Sequence, residues 1–269
     1  MATGAAFTIF SEEAAAGVFA FLPVVTVKEG GRRFFEVSIA IAVAALLAGE
    51  SVRVASGLEA GLAPRAALGA SVAALAIALF AVKVLRGPAF DRAKPWLAGA
   101  GAAQAVALVL DGISVDRGST LPGGMARTAL VAASLLAGAA LLGSVLLSMV
   151  LGHFYLVIPR LTIDPLRRLT NGYLGSILAR LAIAVAATAL VWSVDVEPGR
   201  SLLLDQATLL APRILFGLAG PLLLCFLARG TVAIKSTQSA TGILYGATVL
   251  VVFGELAAAW LVANVKLPL

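Results

Sequence analysis

Five ionisable side chains, Glu12, Glu13, Asp111, Arg213 and Glu255, stand inside long apolar runs of the sequence. A charge at the centre of a membrane helix costs about 2.5–3.5 kcal/mol on insertion scales, so groups kept there are candidates for chemistry. With a helical rise of about 1.5 Å per residue, all five fall at a similar depth and are expected to form one layer. Four acids around one arginine cannot all be ionised in a low dielectric without repulsion, which is the arrangement of a proton acceptor or a cation site. The structural alternative is that Glu255 and Arg213, on consecutive helices, merely pair, while Glu12, Glu13 and Asp111 reach polar headgroups.

A second polar layer is expected deeper in, from His153 and Tyr155 at the end of the fifth apolar run and Tyr173 and Arg180 in the sixth. His153 and Tyr155 could hydrogen-bond the carbonyl oxygens of a quinone, and Arg180 could stabilise a developing anion. Aromatic and basic residues at a membrane interface are also ordinary anchors.

The sequence excludes several chemistries. A single histidine cannot supply bis-His haem ligation, and Cys-x-x-Cys-His does not occur, so neither haem nor any covalently bound cofactor is expected. There is no His-Glu-x-x-His, no Walker A lysine loop and no Gly-x-Ser-x-Gly elbow, and no metal ligand set is expected. Cys225 has no partner for a disulfide within the chain and reads as a small packing residue. Ser144 and Ser148 read as hydroxyls bonded back to their own helix. Gly220-Pro221 predicts a kink, because proline removes a backbone donor.

These residues must be positioned by membrane helices. Of 269 residues, 61% are hydrophobic and 13% charged, against roughly 45–50% and about 25% in a soluble domain. The fold class is all-α: a polytopic integral membrane protein. A hydrocarbon core of about 30 Å needs about 20 helical residues. Eight runs fit, at about 5–27, 34–50, 63–84, 95–115, 128–155, 171–194, 207–228 and 240–265. The stretch 161–170 reads as a short helix lying on the membrane surface. The first run contains Glu12 and Glu13 and lacks a basic start, so it reads as a retained helix rather than a signal peptide.

The net charge of +6 does not point to nucleic acid, because its distribution follows the loops. Lys28, Arg32, Arg33, Lys83, Arg86, Arg92, Lys94, Arg160, Arg167, Arg168, Arg229 and Lys235 lie in the odd loops, whereas the even loops carry Arg53, Arg65, Arg117, Arg127 and Arg200. The positive-inside rule then puts the odd loops in the cytoplasm and both termini on the non-cytoplasmic side of the cell membrane, with Glu59, Asp195 and Glu197 on that outer face.

A pattern recurs across the chain. Glu29-x-x-Arg32-Arg33 follows Phe19-Ala20-Phe21, Asp164-x-x-Arg167-Arg168 follows Phe154-Tyr155, and the lone acids Asp111 and Glu255 sit in similar places within the fourth and eighth runs. This predicts a tandem repeat of two four-helix bundles, 1–126 and 127–269, related by an axis along the membrane normal. A ligand site is expected at their seam.

Two functions fit. One is a membrane subunit of a redox or respiratory complex, binding a quinol-type lipid between the halves, with the outer acids accepting protons and a partner subunit receiving electrons. In layout alone it resembles the eight-helix quinol-binding anchor subunits of respiratory oxidoreductases, which are also built from two four-helix halves, although no motif is shared. The other is a proton-coupled secondary transporter of a small solute. A structural or assembly subunit without ligand is the blandest reading, and in every case the lipid bilayer is the first partner.

Overall fold

The computed structural model describes residues 2–58, 60–88, 90–117, 124–158, 161–194 and 207–266, and these are helical apart from short turns. The loop residues Arg160 and Arg200 and the outer acids Glu59, Asp195 and Glu197 lie outside them. The helices are α1 (Ala2–Phe21), α2 (Val27–Ala55), α3 (Leu62–Arg86), α4 (Ala93–Arg117), α5 (Gly124–Val157) and α6 (Asp164–Val194), followed by α7 and α8 (Thr237–Val265). Helix α7 runs through three pieces: α-helical Ala207–Ile214, a π-helical turn Leu215–Ala219, and α-helical Gly220–Ala233. Eight of these segments are long and apolar enough to cross a membrane, so the chain is a multi-pass membrane protein.

Local chemistry sets the boundaries. Pro23 sits in a 3-10 turn, Leu22–Val24, that ends α1. Thr26 then caps α2: its Oγ1 accepts from the Glu29 amide at 3.2 Å, and its own amide donates to Glu29 Oε2 at 2.9 Å, a reciprocal capping box. Gly31, at φ 76° and ψ 155°, breaks the helix one turn later in a conformation that side chains disfavour. The segment expected on the membrane surface is instead largely the start of α6, which begins at Asp164 and continues unbroken to Val194.

Helices α1 and α5 are the centre of the bundle. Helix α1 packs principally on α2, α4, α5 and α8, and α5 on α6, α8, α1 and α4; α3 lies on α2 and α4, and α7 on α6 and α8. Replacing each helix by the one four places away turns this neighbour list into itself. The two central helices touch backbone to backbone, since a Cβ on Gly17 would stand 1.8 Å from the Ala139 carbonyl oxygen and one on Gly143 only 2.0 Å from the Gly17 carbonyl carbon. In a membrane, where apolar side chains gain little by leaving lipid, such close approach is what holds helices together.

Candidate functional site

Glu12 and Glu13 are consecutive on α1, so their side chains diverge by about 100° around the helix. Each joins a different buried ionic cluster.

The first cluster is built by α1, α2 and α4 around Arg53. Arg53 Nη2 donates to Glu12 Oε1 at 2.5 Å, and Nη1 donates to Asp111 Oδ1 at 2.9 Å. Nη2 also donates to Asp111 Oδ2, making a two-point fork. Glu50 Oε2 lies 2.8 Å from Arg53 Nε, close enough for an ion pair although the two atoms are not aligned for a hydrogen bond. Gln104 Nε2 donates to Ser71 Oγ at 3.2 Å, and Ser71 Oγ to Glu12 Oε1 at 3.4 Å, extending the network into α3 and α4. Three carboxylates thus face one guanidinium, and Glu12 Oε2 has no hydrogen-bond partner among the described residues. Arg53 and Asp111 also line a cavity of about 280 Å³, together with Thr8, Ser114 and Lys266. It opens at the end of the bundle where the first and last helices carry the chain ends.

The second cluster joins α1 to α6, α7 and α8 around Glu255. Arg180 Nε and Nη2 donate to Glu255 Oε2 at 3.1 and 2.9 Å, while Arg180 Nη1 donates to the Ser134 carbonyl at 3.0 Å and to its hydroxyl. Arg213 Nη1 lies 3.0 Å from Glu255 Oε1. The Glu13 carboxylate lies beside Glu255 over Gly138, where an added Cβ would stand 2.7 Å from Glu13 Oε1 and 2.8 Å from Glu255 Oε2. Two acids and two arginines balance here, and none of the four side chains reaches solvent. The site is closed by small residues: a Cβ on Gly254 would stand 2.2 Å from the Gly217 Cα.

This geometry corrects the expected single layer. Glu12 and Asp111 fall in one cluster, and Glu13, Arg213 and Glu255 in the other, with three arginines rather than one among them. Arg53, read as a loop base, is buried because α2 continues to Ala55 and turns it inward. Arg180, expected in the inner layer, reaches Glu255 because α6 starts at Asp164, so 16 residues, about 24 Å at about 1.5 Å each, precede it. Arg127 is likewise buried, paired with Asp116, whose other oxygen accepts from Thr128.

The residues expected to hold a quinone are not gathered. His153 is exposed, with Nδ1 3.0 Å from the Tyr245 hydroxyl. The Tyr155 hydroxyl donates to the Thr162 carbonyl, and buried Tyr173 donates to the Pro221 carbonyl at 2.6 Å. Sequence reasoning missed Arg53, Glu50, Ser71, Gln104 and Ser134. The Glu50-x-x-Arg53 spacing was the available signal, because residues three apart share a helix face. Ser144 and Ser148 hydroxyls donate to the Leu141 and Ser144 carbonyls, and Cys225 is buried and free. Gly220-Pro221 follows directly on the π-helical turn. Among the described residues, no three His, Cys, Asp or Glu side chains gather as metal ligands. Compared with known proteins, the chain matches no family model and no curated protein.

Proposed function

We propose that this protein is a proton-coupled secondary transporter of a small solute, with the Arg53 cluster as its proton acceptor. One observation carries the reading: three carboxylates around a single guanidinium are buried in a membrane bundle, and one of them, Asp111, lines a cavity of about 280 Å³ together with the guanidinium of Arg53. In low dielectric the excess negative charge makes proton uptake favourable, and Glu12 Oε2, which has no hydrogen-bond partner among the described residues, is the receiving atom. Asp111, at the cavity wall, passes protons between water and Glu12 across the Arg53 fork.

The self-matching neighbour list supports a tandem repeat of 1–126 and 127–269. So does a shared device, an arginine of each half's second helix forked onto an acid of its fourth: Arg53 to Asp111 and Arg180 to Glu255. Bases concentrated at the end opposite the cavity support an orientation with that end in the cytoplasm and both termini outside the cell membrane.

The test is uptake by the protein reconstituted in vesicles under an imposed pH gradient, read with a trapped pH dye across a panel of small solutes. Solute-dependent proton entry is expected, and Glu12→Gln is expected to abolish it at wild-type protein levels. Undiminished coupled uptake in Glu12→Gln defeats the reading.

The second reading is a redox-complex subunit that binds a quinol-type lipid and passes electrons to a partner subunit. It is favoured by the exposed His153–Tyr245 pair, whose polar atoms meet on the outer faces of α5 and α8, within reach of a lipid-soluble carbonyl. Recovery of one quinone per chain from protein purified out of native membrane, with no solute-dependent proton entry, decides for it.

A further inference from the structure

At the basic end of the bundle, the start of α6 and the end of α7 enclose a second polar pocket. It has a volume of about 180 Å³ and is lined by Arg167, Thr170, Asn171, Arg229, Val232 and Ala233. At about 30 Å³ of liquid volume per water, that is space for several polar atoms. Its two charged lining residues are both arginines. Arg229 is held in place by its Nε, which donates to Asn171 Oδ1 at 3.1 Å, and this leaves the two terminal nitrogens of its fork for another acceptor. Arg167 makes a long contact of 3.3 Å from Nη1 to Asp164 Oδ1, in which both side chains are at least half exposed, so this pair is weak competition. The neighbouring Arg168 is engaged elsewhere, at 2.6 Å from Glu29 Oε2.

The polar wall therefore offers two guanidinium forks, with no carboxylate among the lining residues and only the exposed Asp164 contact to compete for one of them. The rest is apolar, Val232 and Ala233 on the last turns of α7. A phosphate matches two arginine forks in charge and in bidentate geometry. The pocket lies at the ends of membrane-spanning helices, where headgroups stand, and basic pockets between such helices suit anionic lipids. We propose that this pocket binds the phosphate of an anionic phospholipid headgroup, with Arg229 and Arg167 as its ligands. The acyl chains then run along the lipid-facing side of α6 and α7, where Leu178, Leu223 and Leu227 are exposed.

The experiment is native mass spectrometry of the detergent-purified chain mixed with phosphatidylglycerol and an excess of phosphatidylcholine. One retained phosphatidylglycerol per chain is expected. The double variant Arg167→Gln/Arg229→Gln should lower retention at least tenfold, while Arg33→Gln, an exposed base at the same end, should not. Arg229→Lys, which keeps the charge but loses the fork, should give an intermediate value. Circular dichroism and elution volume confirm that each variant remains helical and monodisperse. Competition by millimolar inorganic phosphate that fully displaces the lipid assigns the site to free phosphate and overturns the lipid. Unchanged retention in the double variant, or equal loss in Arg33→Gln, overturns the pocket.

Discussion

The two buried clusters share a plan and differ in charge and access. Each places an arginine against an acid two helices further on, α2 to α4 and α6 to α8, and each takes one of the adjacent glutamates of α1. The Arg180 cluster adds a second arginine, Arg213, from α7; in the Arg53 cluster, α3 contributes only the Ser71 hydroxyl. One is balanced and sealed, the other is acid-rich and touches a cavity. Depth does not separate them: at about 1.5 Å per residue, Arg53 is about 3 Å and Asp111 about 9 Å from the ends of their helices, but Glu12, like Glu255, is about 15 Å from the corresponding end of its own. A balanced, closed cluster acts as a clasp that ties α1 to α6, α7 and α8. An unbalanced one near water is suited to changing its protonation.

The sharpest way to break this contrast is to remove one acid from each cluster. Glu255→Gln leaves two buried guanidiniums with Glu13 alone, and losing one partner of a buried pair costs about 3–5 kcal/mol. Asp111→Asn leaves Arg53 with Glu12 and Glu50 and relieves repulsion, so its cost should be about 0.5–1.5 kcal/mol. Unfolding in detergent, followed by circular dichroism, measures both; equal losses would erase the distinction between clasp and acceptor.

A second test concerns the backbone contact between α1 and α5, one turn from Glu13. Gly17→Ala puts a methyl group into the α5 backbone, and overpacking of this kind costs about 1–3 kcal/mol. The helices must separate near Glu13, so the same variant should admit water to the closed cluster, seen as faster hydrogen exchange at α1 amides beside Glu13. Exchange unchanged from wild type would mean that the glycine contact does not seal it.

The smallest effect is expected outside both clusters. Glu29→Gln removes the exposed ion pair with Arg168, worth about 0.2–1 kcal/mol, and should leave proton entry intact. A large loss of coupled uptake there would move the functional centre to the opposite end of the molecule.

The eight spans and the helical class were legible because bilayer thickness sets a length that apolar runs either meet or miss. Depth was partly legible for the same reason: counting residues placed Glu12, Glu13, Asp111, Arg213 and Glu255 inside the bundle, and all five are buried there. What counting supplies is height, not direction around the bundle. It could not say that consecutive glutamates would serve different partners. Arg53 was lost for a related reason: a span drawn to end at Glu50 stops before the last turn of α2, and only a continuing helix brings Arg53 round to Glu12. Arg180 was misplaced because mixed basic and apolar residues before Asn171 look like surface sequence, although they are the first turns of α6.

The π-helical turn Leu215–Ala219 sets a phase for the chain that precedes it. A π turn closes i to i+5 rather than i to i+4, so it holds one residue more than an α turn spanning the same height. Everything on its N-terminal side is therefore rotated by about 100° relative to an uninterrupted helix. Arg213 lies on that side, two residues before the turn. Deleting one residue from within the turn would let α7 run as a plain α-helix and swing the guanidinium away from Glu255, changing the charge balance of the sealed cluster while every ionisable residue in the sequence stays as it was.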